Sequence, residues 1–262
     1  MKLTQRQSSG TGAPLVLVPG LAATGQFFAP LVRELAAGHR RVVTVELPTR
    51  GPATVRQAAE RLAEVFDRSD LNGAVLLGWS LGASVAWEYL DRFGSGRVSA
   101  LVSVEQTPRL TLAPDWPHAA FGGLDAAGVD GLRETIATDQ AAFAEQLVRG
   151  SFAAGREPNP ALVRTLVSEA LRWTPQACAS LLADAAGQDY RSRVAALALP
   201  VLLVHGAKSQ VYPTAVGRWL ADTIPGAELR LLDESGHLPF LEQPRDFIRT
   251  VSDFIERSVS HV

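Results

Sequence analysis

The sequence predicts an α/β fold: a mostly parallel sheet flanked by helices, with a helical cap inserted between two of its strands. Short β-branched and Leu-rich runs alternate with longer amphipathic stretches, the pattern of repeated strand–helix units. The runs are apolar at nearly every position, as strands covered on both faces must be. One interval, from about Thr107 to Val194, holds no convincing strand and breaks the alternation.

In chain order, Met1 to Gly10 is polar, and the first thirteen residues leave room for one strand or a short hairpin. The strands expected next are Pro14–Val18, Arg41–Leu47, Ala74–Leu77, Val98–Val104, Pro200–Val204 and Ala227–Leu232. Between and after them, Phe28–Ala37, Thr54–Asp67, Leu81–Arg92, Thr214–Thr223 and Arg245–Val259 read as helices. Thr54 is placed to N-cap its helix, with Gln57 completing a capping box. The strand-free interval opens with Pro108, Pro114, Trp116, Pro117, Gly122 and Gly123, then reads as helices over Asp130–Val148, Pro160–Trp173 and Pro175–Ala186. The division expected is therefore a core of residues 1–106 and 195–262, with residues 107–194 as the cap. The aromatic residues of the cap, with Phe152 among them, serve as its core or line a pocket. The candidate substrate-binding set is Trp79, Trp116, Phe121, Phe143 and Trp173.

Composition narrows the function classes. A chain of 262 residues with 47% hydrophobic residues buries a substantial core. A net charge of -2 offers no basic footprint, so neither nucleic acid nor an anionic membrane is an expected partner. The apolar runs are too short to span a bilayer, and the polar start lacks a signal-peptide core, so cytoplasmic residence is expected. The single cysteine, Cys178, forms no internal disulfide and no cysteine metal cage. No two histidines have metal-ligand spacing, so neither a metal nor another cofactor is expected.

The chemistry concentrates at Gly78-Trp79-Ser80-Leu81-Gly82, a G-x-S-x-G pentapeptide. An apolar strand leads in, and a helical pattern (Leu81, Val85, Ala86, Tyr89, Leu90) leads out. Such a strand-to-helix elbow holds its central residue in a strained conformation and needs small neighbours, which Gly78, Gly82 and Ala83 supply. It raises the Ser80 oxygen above the sheet at a helix N-terminus, where N–H groups favour a developing oxyanion. Ser80 is the candidate nucleophile. The oxyanion donors expected are the N–H of Leu81 and, after the strand ending at Val18-Pro19-Gly20, the N–H of Leu21.

His237, in Glu234-Ser235-Gly236-His237-Leu238-Pro239, lies between the last strand and the C-terminal helix and is the candidate base. His39 and His261 stand in polar surface contexts, His205 reads as a satisfied core histidine, and His118 sits at the cap entrance. The candidate acid is Glu105, at the end of the strand after the nucleophile helix. From there a carboxylate can approach the histidine from a neighbouring strand. Asp233, Glu234 and Asp189 are the alternatives.

Pro19-Gly20 after a strand, Arg50-Gly51 after the next, Gly78 to Gly82, and Gly236-His237 together resemble the α/β-hydrolase superfamily over essentially the whole chain. The resemblance implies an α/β-hydrolase fold with the cap after the strand numbered sixth in that superfamily. In most relatives the acid follows the penultimate strand. Here that position is Ser209, which cannot carry the charge that stabilises an imidazolium. A carboxylate after the sixth strand is similar to many haloalkane dehalogenases and to cofactor-independent quinaldine-type dioxygenases. The stretch Val104-Glu105-Gln106-Thr107-Pro108-Arg109-Leu110, with Asp115-Trp116, is similar to a bacterial subgroup of small capped hydrolases in which the equivalent of Glu105 is often aspartate. Dehalogenases and α/β epoxide hydrolases use an aspartate nucleophile, so Ser80 argues against both. The dioxygenases carry a histidine near the oxyanion loop, where this chain reads Leu21-Ala22-Ala23-Thr24-Gly25.

The leading reading is hydrolysis of a carboxylic ester, thioester or lactone of a fairly apolar small molecule through an acyl-enzyme on Ser80. A second class keeps the same groups for acyl elimination, C–C cleavage, acyl transfer or cofactor-free oxygenation. A third, a ligand receptor on a hydrolase scaffold, is disfavoured by intact Ser80 and His237.

Overall fold

Parallel pairing organises the molecule. The computed structural model describes residues 11–37, 40–68 and 70–259. The expected early strand or hairpin falls mainly on residues 1–10, and it, His39 and His261 lie outside the described residues. The strands are β1 (Thr11–Val18), β2 (Arg40–Thr44), β3 (Ala74–Trp79), β4 (Val98–Val104), β5 (Val201–Gly206) and β6 (Glu228–Leu232). They form one sheet in the order β2-β1-β3-β4-β5-β6, with every neighbouring pair parallel.

In β1, β3, β4 and β5 alternate side chains enter separate cores, the reason these strands read as unbroken apolar runs, whereas β6, at the sheet edge, exposes Arg230 and Leu231. Val16, Val43, Leu76, Leu101 and Leu203 face one layer. Helices α2 (Val55–Arg68), α3 (Leu81–Phe93) and α9 (Thr214–Thr223) cover it through Leu62, Trp87 and Leu220. Leu15, Val42, Val75, Val102 and Leu202 face the other layer, covered by α1 (Ala29–Ala37) and α11 (Pro244–Val259) through Leu31, Phe247 and Phe254. A one-turn helix, α10 (Pro239–Glu242), precedes α11. The capping box forms as expected: Gln57 N–H donates to Thr54 Oγ1, and Thr54 N–H to Gln57 Oε1, each at 3.1 Å.

Between β4 and β5 the chain is helical: α4 (Ala126–Thr138), α5 (Gln140–Gly150), α6 (Pro160–Ala170), α7 (Pro175–Ala186) and α8 (Arg191–Ala195). The single helix expected over Asp130–Val148 is two. Asp139 leaves the helical region (φ -147, ψ 75) and accepts a hydrogen bond from Ala142 N–H, so one residue ends α4 and caps α5. The short carboxylate offers the backbone an alternative to the helix ladder, and hydrophobic periodicity does not register that competition. Among the described residues, no helix is long and apolar enough to cross a membrane.

Candidate active site

Ser80 stands between β3 and α3 with φ 53 and ψ -128, a backbone strain concentrated at the elbow. The elbow closes because its flanks lack side chains. A Cβ on Gly78 would lie 2.5 Å from Ala83 Cα, and one on Gly82 would collide with the Val18 carbonyl oxygen. Ser80 N–H donates to Val104 O at 2.9 Å, tying the elbow to the end of β4. The loop after β1 passes alongside: a Cβ on Gly20 would meet Ser80 Cβ at 3.1 Å.

That loop is held from several sides. Ala22 has φ 53, unusual for a residue with a Cβ. Trp173 Nε1–H donates to Ala23 O at 3.1 Å, Thr24 Oγ1–H to Glu169 Oε2 at 2.6 Å, and Gly25 N–H to Glu46 Oε1 at 2.9 Å. Two of these anchors come from α6 and the turn after it, so the helical segment between β4 and β5 braces the loop expected to carry an oxyanion donor.

His237 enters from the loop after β6. Its N–H donates to Ser151 O at 2.8 Å, its carbonyl accepts from Trp79 Nε1–H at 2.8 Å, and its ring rests on that indole at 5.5 Å. Gly236 N–H donates to the buried Glu242 carboxylate at 2.8 Å, and a Cβ at Gly236 would lie 2.5 Å from Ala153 N. Burial raises the Glu242 pKa, and its backbone donors partly offset that.

Glu105, at φ 47, is wholly buried at the end of β4. Its Oε2 lies 2.9 Å from His237 Nδ1 and 2.6 Å from Ser209 Oγ; its Oε1 accepts from Gly206 N–H at 2.8 Å. Ser209 Oγ itself accepts from the N–H of Val211 and Tyr212, each at 3.3 Å, so its one hydrogen is left for Glu105. The serine at the usual acid position thus supports a carboxylate on the adjacent strand. Asp189 is committed elsewhere: Arg191, with a contribution from Arg109, holds its carboxyl down to about 2. Glu234 pairs with Lys208, and Asp233 accepts from Gln243.

His205 departs from expectation. It is fully buried, yet neither ring nitrogen has a hydrogen-bond partner among the described residues; Nδ1 stands 3.5 Å from Glu105 Oε1. Burial lowers its pKa, against the opposing pull of Glu105, and keeps the ring neutral.

Ser80 and His237 open on a cavity of about 410 Å³. Leu21, Leu81, Trp79, Phe121 and Phe143 line it; Phe121 is half-exposed at φ 53. Leu132, Leu147, Leu182 and Val211 extend an apolar wall in which, among the described residues, His237 is the one ionisable side chain besides Tyr212. Two candidate residues do not reach it. Trp116 is buried against Trp219 and His118, with Nε1–H donating to Arg109 O at 2.9 Å. Trp173 is buried behind the Ala23 loop. Both indoles are spent on packing and on a backbone carbonyl away from the cavity, which makes both rings framework. Tyr212 was not singled out by the sequence reading. It lines the cavity together with Ser80 and packs edge-on against His237 at 5.5 Å. Its place three residues beyond Ser209, in the loop at the carboxyl end of β5, was the available signal.

Residues 15–250 match the family model described as "Alpha/beta hydrolase family". The chain is similar to the pimeloyl-[acyl-carrier protein] methyl ester esterase of Chromobacterium violaceum, 30% identical over 95% of this chain and 97% of that one. The namesake from Aromatoleum aromaticum is 32% identical over 92% and 97%. Among solved structures, an esterase from Exiguobacterium antarcticum superposes with a TM-score of 0.89 at 23% identity, covering 97% of this chain and 95% of that one. The enol-lactonase from Burkholderia xenovorans LB400 gives 0.80 at 21% identity, covering 97% and 96%. A match running from the first described strand into the last helix takes in both the sheet and the helices inserted in it, and the chain belongs to the alpha/beta hydrolase family.

Proposed function

We propose that the protein is a serine esterase that cleaves a carboxylic ester with an apolar acyl chain. One observation carries this reading: Ser80 and His237 face the same apolar cavity, and the buried Glu105 carboxylate lies 2.9 Å from His237 Nδ1. Glu105 then holds the imidazole in the tautomer whose Nε2 is free to take the Ser80 proton, and stabilises the imidazolium that results. Ser80 Oγ attacks the ester carbonyl, while the N–H groups of Leu21 and Leu81 receive the oxyanion. His237 passes the proton to the departing alcohol, then takes one from the water that releases the acid.

The lining argues for the substrate class. A carboxylate or ammonium deep in this cavity would lose its hydration with no Lys, Arg, Asp or Glu among the described lining residues to meet, whereas an alkyl chain gains about 0.8 kcal/mol per buried CH₂. The curated relatives are named for a methyl ester at the end of a carrier-bound acyl chain, and such a substrate would present its uncharged ester end here. Residues 107–194 serve in this reading as a cap that supplies the cavity wall, and the protein works in the cytoplasm.

The test is turnover of methyl and p-nitrophenyl esters of graded acyl length. Medium-length apolar esters should be hydrolysed, hemiesters with a free carboxylate poorly, and Ser80→Ala should abolish both. Ester turnover unaffected by Ser80→Ala would overturn the proposal.

A further inference from the structure

Tyr212 is the one phenol in the wall of the cavity. Its backbone N–H is held by Ser209 Oγ, the group that also grips Glu105, so its position is coupled to that of the acid. Its ring lies edge-on to His237 at an interplanar angle of 65°, and it shares the cavity wall with Ser80. Burial, reinforced by the charge of Glu105, raises the phenol pKa, so the group keeps its proton and acts only as a neutral donor or acceptor.

In a tetrahedral adduct on Ser80, one oxygen points to the Leu21 and Leu81 N–H groups. The other, on the departing alcohol, must point toward His237, which protonates it. Tyr212 packs against His237 in the cavity that Ser80 also lines, on the side where the departing oxygen takes its proton. A neutral phenol there has its hydrogen available for the oxygen on which negative charge is growing.

Resting on the esterase reading above, we infer that Tyr212 is a further catalytic residue, whose hydroxyl donates a hydrogen bond to the leaving-group oxygen as the ester bond breaks. No bond in the phenol is made or lost. The Oγ–C bond forms, the C–O bond to the alcohol breaks, and the serine proton travels through His237 to the alcohol oxygen.

The consequence is a dependence on leaving group. Methoxide is a poor leaving group and needs the donor; p-nitrophenolate carries its own charge and does not. Tyr212→Phe removes one oxygen and keeps the ring packing. Its kcat/KM, which reports acylation, should fall about 10- to 100-fold on a methyl ester, the worth of one hydrogen bond to a developing charge. On the p-nitrophenyl ester of the same acid it should stay within about threefold of wild type. Equal losses on the two esters, or no loss on the methyl ester, would overturn the inference. Labelling by a fluorophosphonate keeps the two proposals apart. Wild type and Tyr212→Phe both labelled at Ser80, with no leaving-group effect, sinks the Tyr212 role alone. Unlabelled, active wild type sinks the serine esterase and this inference with it.

Discussion

Replacing Glu105 by glutamine changes one atom in a site with no room for a donor. Oε1 faces the Gly206 N–H, and Oε2 faces Ser209 O–H and His237 Nδ1. The amide of glutamine has one acceptor and one donor end. With its NH₂ toward Gly206, two N–H groups that cannot adjust point at each other, at a cost of about 1–3 kcal/mol. With its NH₂ toward His237, the imidazole must turn Nδ1 into an acceptor and carry its proton on Nε2, where it cannot accept from Ser80. The second arrangement also takes the acceptor from the Ser209 O–H and is the worse for chemistry. Loss of the orienting acid in this way lowers kcat by about 10⁴-fold, or about 5.5 kcal/mol of transition-state stabilisation. The assay is steady-state hydrolysis of a methyl ester by Glu105→Gln, with circular dichroism and urea melts on the same preparation. A fully folded variant within tenfold of wild-type kcat would refute the assignment and send the search to another carboxylate.

Trp173→Ala should destabilise the fold by about 3–5 kcal/mol and lower activity by releasing the Ala23 loop, without changing the ratio of kcat/KM between long and short acyl esters. Phe143→Ala, which opens the cavity wall, should shift that ratio severalfold toward the longer chain; urea melts and an ester series distinguish the two. His205 stays neutral in the fold while the unfolded chain takes up a proton below about pH 6.5, so unfolded molecules bind more protons there and stability falls as pH drops. Urea melts between about pH 5 and 7.5 should show a component of that slope, at most about 1.4 kcal/mol per pH unit, that His205→Phe removes; identical slopes would show that His205 titrates alike in both states.

The parts legible in the sequence were those tied to backbone geometry. Ser80 sits where a strand, two glycines and a helix leave a single conformation, and the steric conflicts at Gly78 and Gly82 are the physical content of that motif. Glu105 stood out as the candidate acid because the usual acid position holds Ser209. The hydrogen bond between the two is the structural counterpart of that substitution. Side-chain direction was less legible. Trp116, Phe143 and Trp173 are equally apolar on paper, but only the tertiary packing decides which indole finds a carbonyl and which ring meets the cavity. His205 misled for the same reason, since a strand-end histidine gives no sign of whether a partner will be in reach. Tyr212 went unnoticed because one phenol in a loop carries no periodicity.

Intact-mass measurement after exposure to a fluorophosphonate tests the nucleophile most directly. The wild-type chain should gain one adduct, mapped by peptide sequencing to Ser80, with ester turnover lost in step. Ser80→Ala should gain none. An adduct on another residue, or an active enzyme that stays unlabelled, would contradict covalent catalysis at Ser80.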